Sequence, residues 1–191
     1  MTNLPISDLP LVDEAKATEA LKELFEEIQR GMGVPFVPNL FRVAANAENV
    51  AHGTWQVMKN IYLESSLPKA LTAMILYNIA ETGGCKYCGS IHKLTCQTLG
   101  ITEESLKALA GDLESLNPER VQAIIRFANK AANRPLELVE RDYEIIREHG
   151  VTDDELTEIV AVAAMGKYAD IMADALKITV DPPVAQALGA S

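Results

Sequence analysis

The sequence has few aromatic residues and no long uninterrupted apolar run. Phenylalanine, tryptophan and tyrosine make up 5% of the 191 residues, although hydrophobic residues reach 48%. Aliphatic residues and methionine must therefore supply the core, which suits helix packed on helix. No stretch reaches the roughly 18 consecutive apolar residues that indicate a membrane-spanning helix. The length and composition predict one domain with a full hydrophobic core and no membrane span.

Positive charge is scarce as well. The chain has 17 Lys and Arg against 27 Asp and Glu, for a formal net charge of −10. A uniformly acidic protein is poorly suited to the phosphates of nucleic acid or to an anionic membrane surface, so neither is expected as a partner. The first residues, Met-Thr-Asn-Leu-Pro-Ile-Ser-Asp, lack the basic and apolar regions of a secretory signal.

Cysteine is rare, and its distribution is uneven. All three cysteines and one of the three histidines fall within twelve residues, at Cys85, Cys88, His92 and Cys96. A Cys-x-x-Cys pair with one further cysteine is not a disulfide scaffold. It suits a reducing compartment, in which a disulfide forms and breaks during turnover. We therefore expect a cytoplasmic protein.

Strand signals are absent too. No run alternates between apolar and polar residues, and no Gly-rich phosphate-binding fingerprint or sharp internal repeat occurs. Apolar residues recur at helical spacing instead. We predict an all-α, single-domain bundle of roughly eight helices. Its parts are an N-terminal arm over residues 1–17, a helical domain over residues 18–178, and an extended or disordered tail over residues 179–191.

Capping residues mark several of the predicted helix ends. Thr18 and Asn39 are candidate N-caps, and Thr152 with Glu155 forms a capping box at the start of the last long helix. Gly100 has the position expected just after a helix C-terminus. Residues 34–39 contain two prolines, so we interpret them as a connector rather than as a lid over a pocket.

A mostly apolar predicted helix, residues 69–80, leads into the cysteine stretch. If Gly83-Gly84 break the chain and a new helix begins at Cys85, then Cys85, Cys88 and His92 lie along one face. Both thiols are then in the first turn, where unpaired N–H groups and the helix dipole favour a thiolate. His92 lies one turn further on and can hydrogen-bond the Cys88 sulfur or carry its proton. These features together are typical of a reactive dithiol.

The two thiols are not equivalent in this arrangement. The helix dipole alone favours Cys85, which is nearer the helix start, as the more acidic thiol. The spacing to His92 favours Cys88. We assign the attack to Cys88, because a neighbouring imidazole can both take the thiol proton and donate to the leaving group.

Metal binding and inert packing are the other interpretations of this stretch. Cys85, Cys88, His92 and Cys96 are four potential zinc ligands, but all of them lie on one predicted helix. The first and last would be roughly 16 Å apart at the helical rise, so one helix cannot surround a tetrahedral ion. We expect no metal and no organic cofactor, and we interpret Cys96 as a core residue.

The spacing Cys85-x-x-Cys88-x-x-x-His92, followed by Leu-Gly-Ile-Thr at residues 99–102, resembles the carboxymuconolactone decarboxylase superfamily in its branch of AhpD-like alkylhydroperoxidases. Residues 34–42, 126–128 and 150–176 resemble the same branch, and the likeness covers roughly residues 18–181. The resemblance implies an all-α fold and obligate homo-oligomers, commonly trimers or hexamers. It also implies peroxidase or disulfide-reductase activity.

The resemblance also implies roles for individual residues. Cys88 would attack the peroxide, Cys85 would resolve the sulfenic acid into a disulfide, and His92 would relay protons. An external dithiol, such as a lipoyl protein or a thioredoxin-like partner, would then reduce the disulfide. The relay glutamate of the best-studied members corresponds here to Ala73. Glu81 is the nearest carboxylate to Cys85 along the chain and is our candidate replacement.

Two other functions fit parts of the sequence. A lyase or isomerase of the same superfamily, acting on a lactone or a ring acid, would use Arg42 and His52 and leave the paired cysteines unused. Activity that persists after both thiols are alkylated would favour it. A non-enzymatic redox sensor would instead change its oligomeric assembly when the disulfide forms.

Overall fold

The computed structural model describes residues 9–189. Eight of its ten α-helices have eight residues or more, and the described part of the chain contains no strand. The helices are α1 (Glu19–Met32), α2 (Asn39–Ala44), α3 (Glu48–Met58), α4 (Lys69–Gly83), α5 (Lys86–Thr98), α6 (Glu103–Ala110), α7 (Glu119–Asn133), α8 (Glu140–Glu148), α9 (Asp153–Ala175) and α10 (Pro182–Ala187). A π-helical turn, Lys59–Leu63, continues α3. The prediction of an all-α chain is confirmed.

Most of the predicted caps are present. The hydroxyl of Thr18 accepts a hydrogen bond from the backbone N–H of Leu21 at the start of α1. Thr152 and Glu155 form the reciprocal capping box that begins α9. Gly100 has a φ of 79°, the left-handed conformation that follows a helix C-terminus. These helix ends follow from local sequence, because each cap is satisfied within a few residues.

The predicted N-cap at Asn39 is wrong. Helix α2 already begins at Asn39, and Pro38 precedes it without a side-chain cap. The backbone N–H of Asn39 donates to Asp181 Oδ1 at 2.7 Å, and its side-chain Nδ2 donates to the carbonyl of Thr179 at 3.0 Å. A carboxylate from the far end of the chain therefore satisfies the first N–H of α2.

The prediction of an extended or disordered tail after residue 178 is also wrong over residues 182–187. These residues form α10, and its Val184 is buried. Pro182 and Pro183 occupy the first turn of this helix, where a missing N–H costs no hydrogen bond. At the other end of the chain, residues 9–13 of the predicted arm have no regular structure, and Glu14–Lys16 form a short 3-10 helix. Residues 1–8 and 190–191 of the two predicted segments lie outside the described residues.

Helix α4 is the centre of the main hydrophobic core. Ten consecutive residues, 71–80, are buried in it, and it packs against α5, α6, α7 and α9. Close packing against α9 depends on Gly166, where a methyl group would lie 2.8 Å from the Leu76 Cδ2 atom. Because α4 is surrounded by other helices, the cysteine stretch that follows its C-terminal end begins in a buried position.

Candidate active site

The two cysteines lie at the start of α5, as predicted. Gly84, with a φ of 75°, ends α4 and reverses the chain, whereas Gly83 is still helical. Cys85 is the N-cap of α5, and its Sγ accepts a hydrogen bond from the backbone N–H of Cys88 at 3.5 Å. Both thiols are buried and free. Of the glycine pair expected to break the chain, only Gly84 does so.

A third residue, Asp170 of α9, completes this group. Sγ of Cys85, Sγ of Cys88 and a carboxylate oxygen of Asp170 all lie within 4.8 Å of one another. Asp170 is 3% exposed, and its Oδ2 atom has no hydrogen-bond partner. Burial raises the pKa of this carboxyl, while the neighbouring Cys88 thiol and the charge of Lys167 act in the opposite direction. The structure thus places a carboxylate oxygen beside both sulfurs.

The environment of Cys88 differs from the one that the helix dipole predicts. Its interaction with the Cys85 sulfur, then its burial, and then the charge of Asp170 raise the pKa of the Cys88 thiol above its ordinary value. The expectation of a preformed thiolate is therefore wrong for Cys88. A neutral thiol can still act as a nucleophile if a base removes its proton as the reaction proceeds.

His92 is buried on α5, one turn beyond Cys88. Its ring contacts Tyr62 edge-to-face, with ring centroids 6.5 Å apart, and its Nδ1 atom is buried without a hydrogen-bond partner. Burial lowers the pKa of His92 from its ordinary value near 6.5 to about 4, so the imidazole is neutral at physiological pH. The expected hydrogen bond to the Cys88 sulfur does not occur within residues 9–189.

Glu81 does not join the thiols. It is exposed near the end of α4, and its Oε1 atom lies against α5, where a methyl group on Gly89 would approach it to 2.8 Å. The group that combines both sulfurs with an acid contains Asp170 and not Glu81. We therefore assign the carboxylate beside the thiols to Asp170 rather than to Glu81, and Ala73 is part of the buried face of α4.

Asp170 was missed because it is remote from the cysteines in sequence. One signal was available: it lies on α9 with Gly166 one turn before it and Ala173 one turn after it, on the buried face. A carboxylate on an apolar helix face is unusual unless it is paired or functional. Periodicity alone could not say which part of the chain it would meet.

A cavity of about 230 Å³ adjoins the thiols. Cys88 lines it, but Cys85 and Asp170 do not. The remaining walls are mostly apolar and include Phe36, Leu40, Phe41, Met58, Ile91 and Leu94; His92, Thr95 and the tyrosines Tyr62 and Tyr87 are the residues with polar groups. Of the two paired cysteines, Cys88 is therefore the one that a molecule in this cavity contacts.

The loop that precedes α2 forms part of this cavity. Val34, Phe36 and Pro38 line it, so our interpretation of residues 34–39 as a plain connector is wrong. The two prolines keep the loop out of helical conformation, and its apolar side chains line the same cavity as Cys88. The same segment is pinned at its end by the hydrogen bonds from Asn39 to the C-terminal segment.

Tyr87, between the two cysteines, ties the site to the C-terminal segment. Its hydroxyl donates to Asp181 Oδ2 at 3.0 Å and accepts from the backbone N–H of Leu40 at 3.2 Å. Burial and the charge of Asp181 raise the pKa of this phenol, so it remains a donor. Val184 of α10 lines the same cavity. The C-terminal helix is therefore one wall of the site.

The other sequence candidates lie elsewhere. Arg42 donates from Nε to the carbonyl of Val12 at 3.1 Å, and neither Arg42 nor His52 lines the cavity at Cys88. Cys96 is fully buried in the main core, and burial raises its pKa to about 12, in agreement with a packing role. None of the helices found between residues 9 and 189 is long and apolar enough to cross a membrane.

The fold is shared with solved structures. The chain superposes with a TM-score of 0.83 on the alkylhydroperoxidase AhpD core of a peroxidase-related protein from Ralstonia eutropha JMP134, at 24% identity over 95% of both chains. A peroxidase-related protein from Silicibacter sp. TM1040 gives 0.81 at 23% identity, over 96% of this chain and 97% of that chain. The debrominase Bmp8 in complex with 2,3,4-tribromopyrrole gives 0.79 at 16% identity, over 98% and 97%.

These neighbours define an AhpD-type helical fold, and the resemblance seen in the sequence is confirmed at that level. No family model matches the chain, and no curated protein matches it. Proteins with this fold carry peroxidase-related and debrominase names, so the chemistry of this chain has to be argued from its own site.

The buried, neutral His92 predicts a specific pH dependence of stability. The unfolded chain binds a proton at this residue below about pH 6.5, whereas the folded protein does so only near pH 4. Stability is therefore lost as the pH falls through this window. We expect the wild type to lose about 3 kcal/mol more unfolding free energy between pH 7 and pH 4 than His92→Asn does. Urea unfolding at both pH values measures the difference.

The control for this measurement is His52→Asn, which removes an imidazole from a partly exposed position on α3. It should retain the acid sensitivity of the wild type. Equal acid sensitivity in the wild type and in His92→Asn would mean that burial does not lower the pKa of His92 in the folded protein.

Proposed function

We propose that this protein is a thiol-dependent peroxidase of the AhpD kind, which reduces alkyl hydroperoxides at Cys88 and is recycled by an external dithiol. The observation that carries the proposal is the position of Cys88, between an apolar cavity on one side and Cys85 with Asp170 on the other. One thiol can then meet a substrate while a second thiol and a carboxylate remain within reach.

The first step oxidises Cys88. Its sulfur attacks the O–O bond of the hydroperoxide, and the thiol proton passes to the Asp170 carboxylate as the bond forms. The alkoxide leaves and takes up that proton, so the products are an alcohol and a sulfenic acid on Cys88. Asp170 suits this role because burial raises its pKa, which makes it a better base than an exposed carboxylate.

The second step forms the disulfide. Cys85 attacks the Cys88 sulfenic acid, an S–S bond forms, and water leaves. The two sulfurs already lie within 4.8 Å, so closing to a bond of about 2.05 Å needs only a small movement at the start of α5. A dithiol then reduces the disulfide by thiol exchange and is itself oxidised. A lipoyl protein or a thioredoxin-like partner has the required chemistry. We propose that the protein works as a homo-oligomer in a reducing compartment.

The cavity supports an organic rather than an inorganic peroxide. Its apolar walls contribute binding energy to an alkyl or aryl group and little to hydrogen peroxide. His92 opens onto the cavity as a neutral imidazole, which can accept a hydrogen bond from the hydroperoxide O–H group.

The second candidate function is reductive dehalogenation, which the debrominase neighbour favours. The Cys88 sulfur would take the halogen from an aromatic carbon, and a proton would replace the halogen on that carbon. Cys85 would then attack the Cys88 sulfur and displace halide as the disulfide forms. As in the peroxidase reaction, two electrons pass from the two thiols to the substrate, and halide rather than water is released when the disulfide forms. Halide release from a brominated pyrrole, compared with loss of an alkyl hydroperoxide, separates the two.

The test of the proposal is mass spectrometry of alkylated thiols in the wild-type protein. Reduced protein should show three alkylatable cysteines. After one equivalent of cumene hydroperoxide, two of them should be lost and a Cys85–Cys88 crosslinked peptide should appear. A dithiol should restore both, while Cys96 changes in neither step. Retention of all three thiols after peroxide would overturn the proposal.

A further inference from the structure

Three potential metal ligands converge at the candidate active site from two separate helices. Cys85 and Cys88 belong to the start of α5, and Asp170 comes from α9. Their ligand atoms, two sulfurs and one carboxylate oxygen, lie within 4.8 Å of one another, and all three residues are buried. This set differs from the four ligands on one helix that the sequence offered, because two elements can face an ion from different sides.

The spacing is close to that of a bound ion. Zinc–sulfur bonds near 2.3 Å place two sulfurs of a tetrahedral site about 3.8 Å apart. The two sulfurs, which lie within 4.8 Å of each other, therefore need to close by about 1 Å at most, and each sulfur–oxygen pair by slightly more. Cys85 is at the N-cap of α5 and Cys88 is in its first turn. Rotation of these two side chains can supply a movement of this size.

A second observation also points to a ligand. The Oδ2 atom of Asp170 is buried and accepts no hydrogen bond from a nitrogen or oxygen donor, and the donors that act on this carboxyl are the thiols of Cys88 and Cys85. An unpaired buried carboxylate oxygen is costly, and such groups are normally paired or coordinate a metal. A cation between this oxygen and the two sulfurs would satisfy it.

We propose that the reduced protein binds one thiophilic divalent cation of the zinc class through Cys85 Sγ, Cys88 Sγ and Asp170, with the fourth coordination position open. Binding displaces the two thiol protons to the buffer and forms two metal–thiolate bonds and one metal–carboxylate bond. The oxidation state of every atom is unchanged. Because Cys88 lines the apolar cavity, the open position is available on that side to water or to an incoming thiol.

The charges around the site are compatible with this ion. Two thiolates and a carboxylate carry three negative charges against two positive charges on the metal. A methyl group on Gly83 would lie 3.3 Å from both Asp170 Oδ2 and Lys167 Nζ, so the ammonium group of Lys167 is close to the site. It offsets the remaining negative charge.

Metal binding and disulfide formation then exclude each other. A sulfur held by the ion cannot attack a peroxide, and a disulfide leaves no thiolate for the ion. Zinc-class ions would therefore protect the reduced site and inhibit its turnover. The redox state of the site would then depend on the concentration of the metal ion as well as on that of the oxidant.

The test is titration of fully reduced protein with Co²⁺ in buffer that contains a phosphine reductant, followed by displacement with Zn²⁺. We expect one equivalent to bind, with a thiolate-to-metal charge-transfer band and the intense d–d bands of a tetrahedral site. Asp170→Asn should weaken binding at least tenfold. Asp170→Cys should strengthen the charge-transfer band, because a third thiolate replaces the carboxylate. Cys96→Ser is the matched control and should titrate like the wild type.

Oxidised wild type, with the Cys85–Cys88 disulfide, should not bind Co²⁺. Absence of saturable binding to the reduced wild type would overturn the proposal, and so would an unchanged affinity and spectrum in Asp170→Asn. This result is independent of the peroxidase proposal, since thiol oxidation by cumene hydroperoxide is measured in metal-free buffer. Either proposal can therefore fail without the other.

Discussion

Cys88→Ser should abolish the consumption of alkyl hydroperoxide driven by a dithiol, a loss on the order of 10³-fold or more, to the uncatalysed background. Of the two paired thiols, Cys88 is the one that lines the cavity, so it is the sulfur that a bound peroxide can meet. A hydroxyl in its place is far less acidic and does not form the sulfenic acid on which the cycle depends. The measurement is the steady-state loss of cumene hydroperoxide with a dithiol in excess.

Cys96→Ser is the matched control, because it removes a thiol from the main core and leaves the site untouched. Its turnover should equal that of the wild type. Cys85→Ser separates the roles of the two paired cysteines. It should react once with peroxide and accumulate a sulfenic acid on Cys88, which a dimedone label traps. A dimedone adduct on Cys85 in Cys88→Ser, with peroxide still consumed, would reverse the assignment.

The site features that the sequence predicted are those settled within one or two helical turns. The start of α5 at the paired cysteines depends on Gly84, which turns the chain, and on the i, i+3 and i, i+4 spacing of Cys85, Cys88 and His92. The capping box at Thr152 is equally local. Such contacts connect neighbours in sequence, so composition and spacing are sufficient to predict them.

The features that were missed or misread depend on contacts between distant parts of the chain. Asp170 reaches the thiols only because α9 packs against α4 and α5. The hydrogen bond from the Asn39 N–H group to Asp181 joins residues 142 positions apart. It satisfies the first N–H group of α2 and connects α2 to the C-terminal segment. Glu81 is near Cys85 in sequence but exposed in the fold. Helical periodicity predicts that a face is buried without saying what covers it.

Asp170→Asn is the substitution for which two physical effects predict opposite results. The charge of Asp170 contributes to the raised pKa of Cys88. If that were its whole effect, its removal would lower the pKa of the thiol, increase the thiolate fraction and speed up the reaction at neutral pH. If Asp170 accepts the Cys88 proton, its removal slows the reaction, and a positioned general base contributes about 10²–10⁴-fold.

We expect the second effect to dominate, with kcat/KM for cumene hydroperoxide reduced at least about 10²-fold at neutral pH. Because the resting Cys88 thiol is neutral, the proton must leave during the attack, and a carboxylate oxygen of Asp170 lies within 4.8 Å of the Cys88 sulfur. The pH profile should change as well. The wild type should lose activity as the pH falls through the raised pKa of Asp170, whereas the variant should lack this acidic limb and gain rate as hydroxide increases.

The variant should remain folded, which makes the kinetic result interpretable. A carboxyl whose pKa is raised by burial favours the folded state only at low pH, and this contribution is lost as the pH rises through the folded-state pKa. At neutral pH the buried charge therefore costs stability, and a neutral amide of the same shape should melt no lower than the wild type. Glu81→Gln, which neutralises the exposed acid on α4, is the matched control and should leave kcat/KM unchanged. A faster Asp170→Asn enzyme would show that the carboxylate only suppresses the thiolate, and the base would then have to be sought at His92.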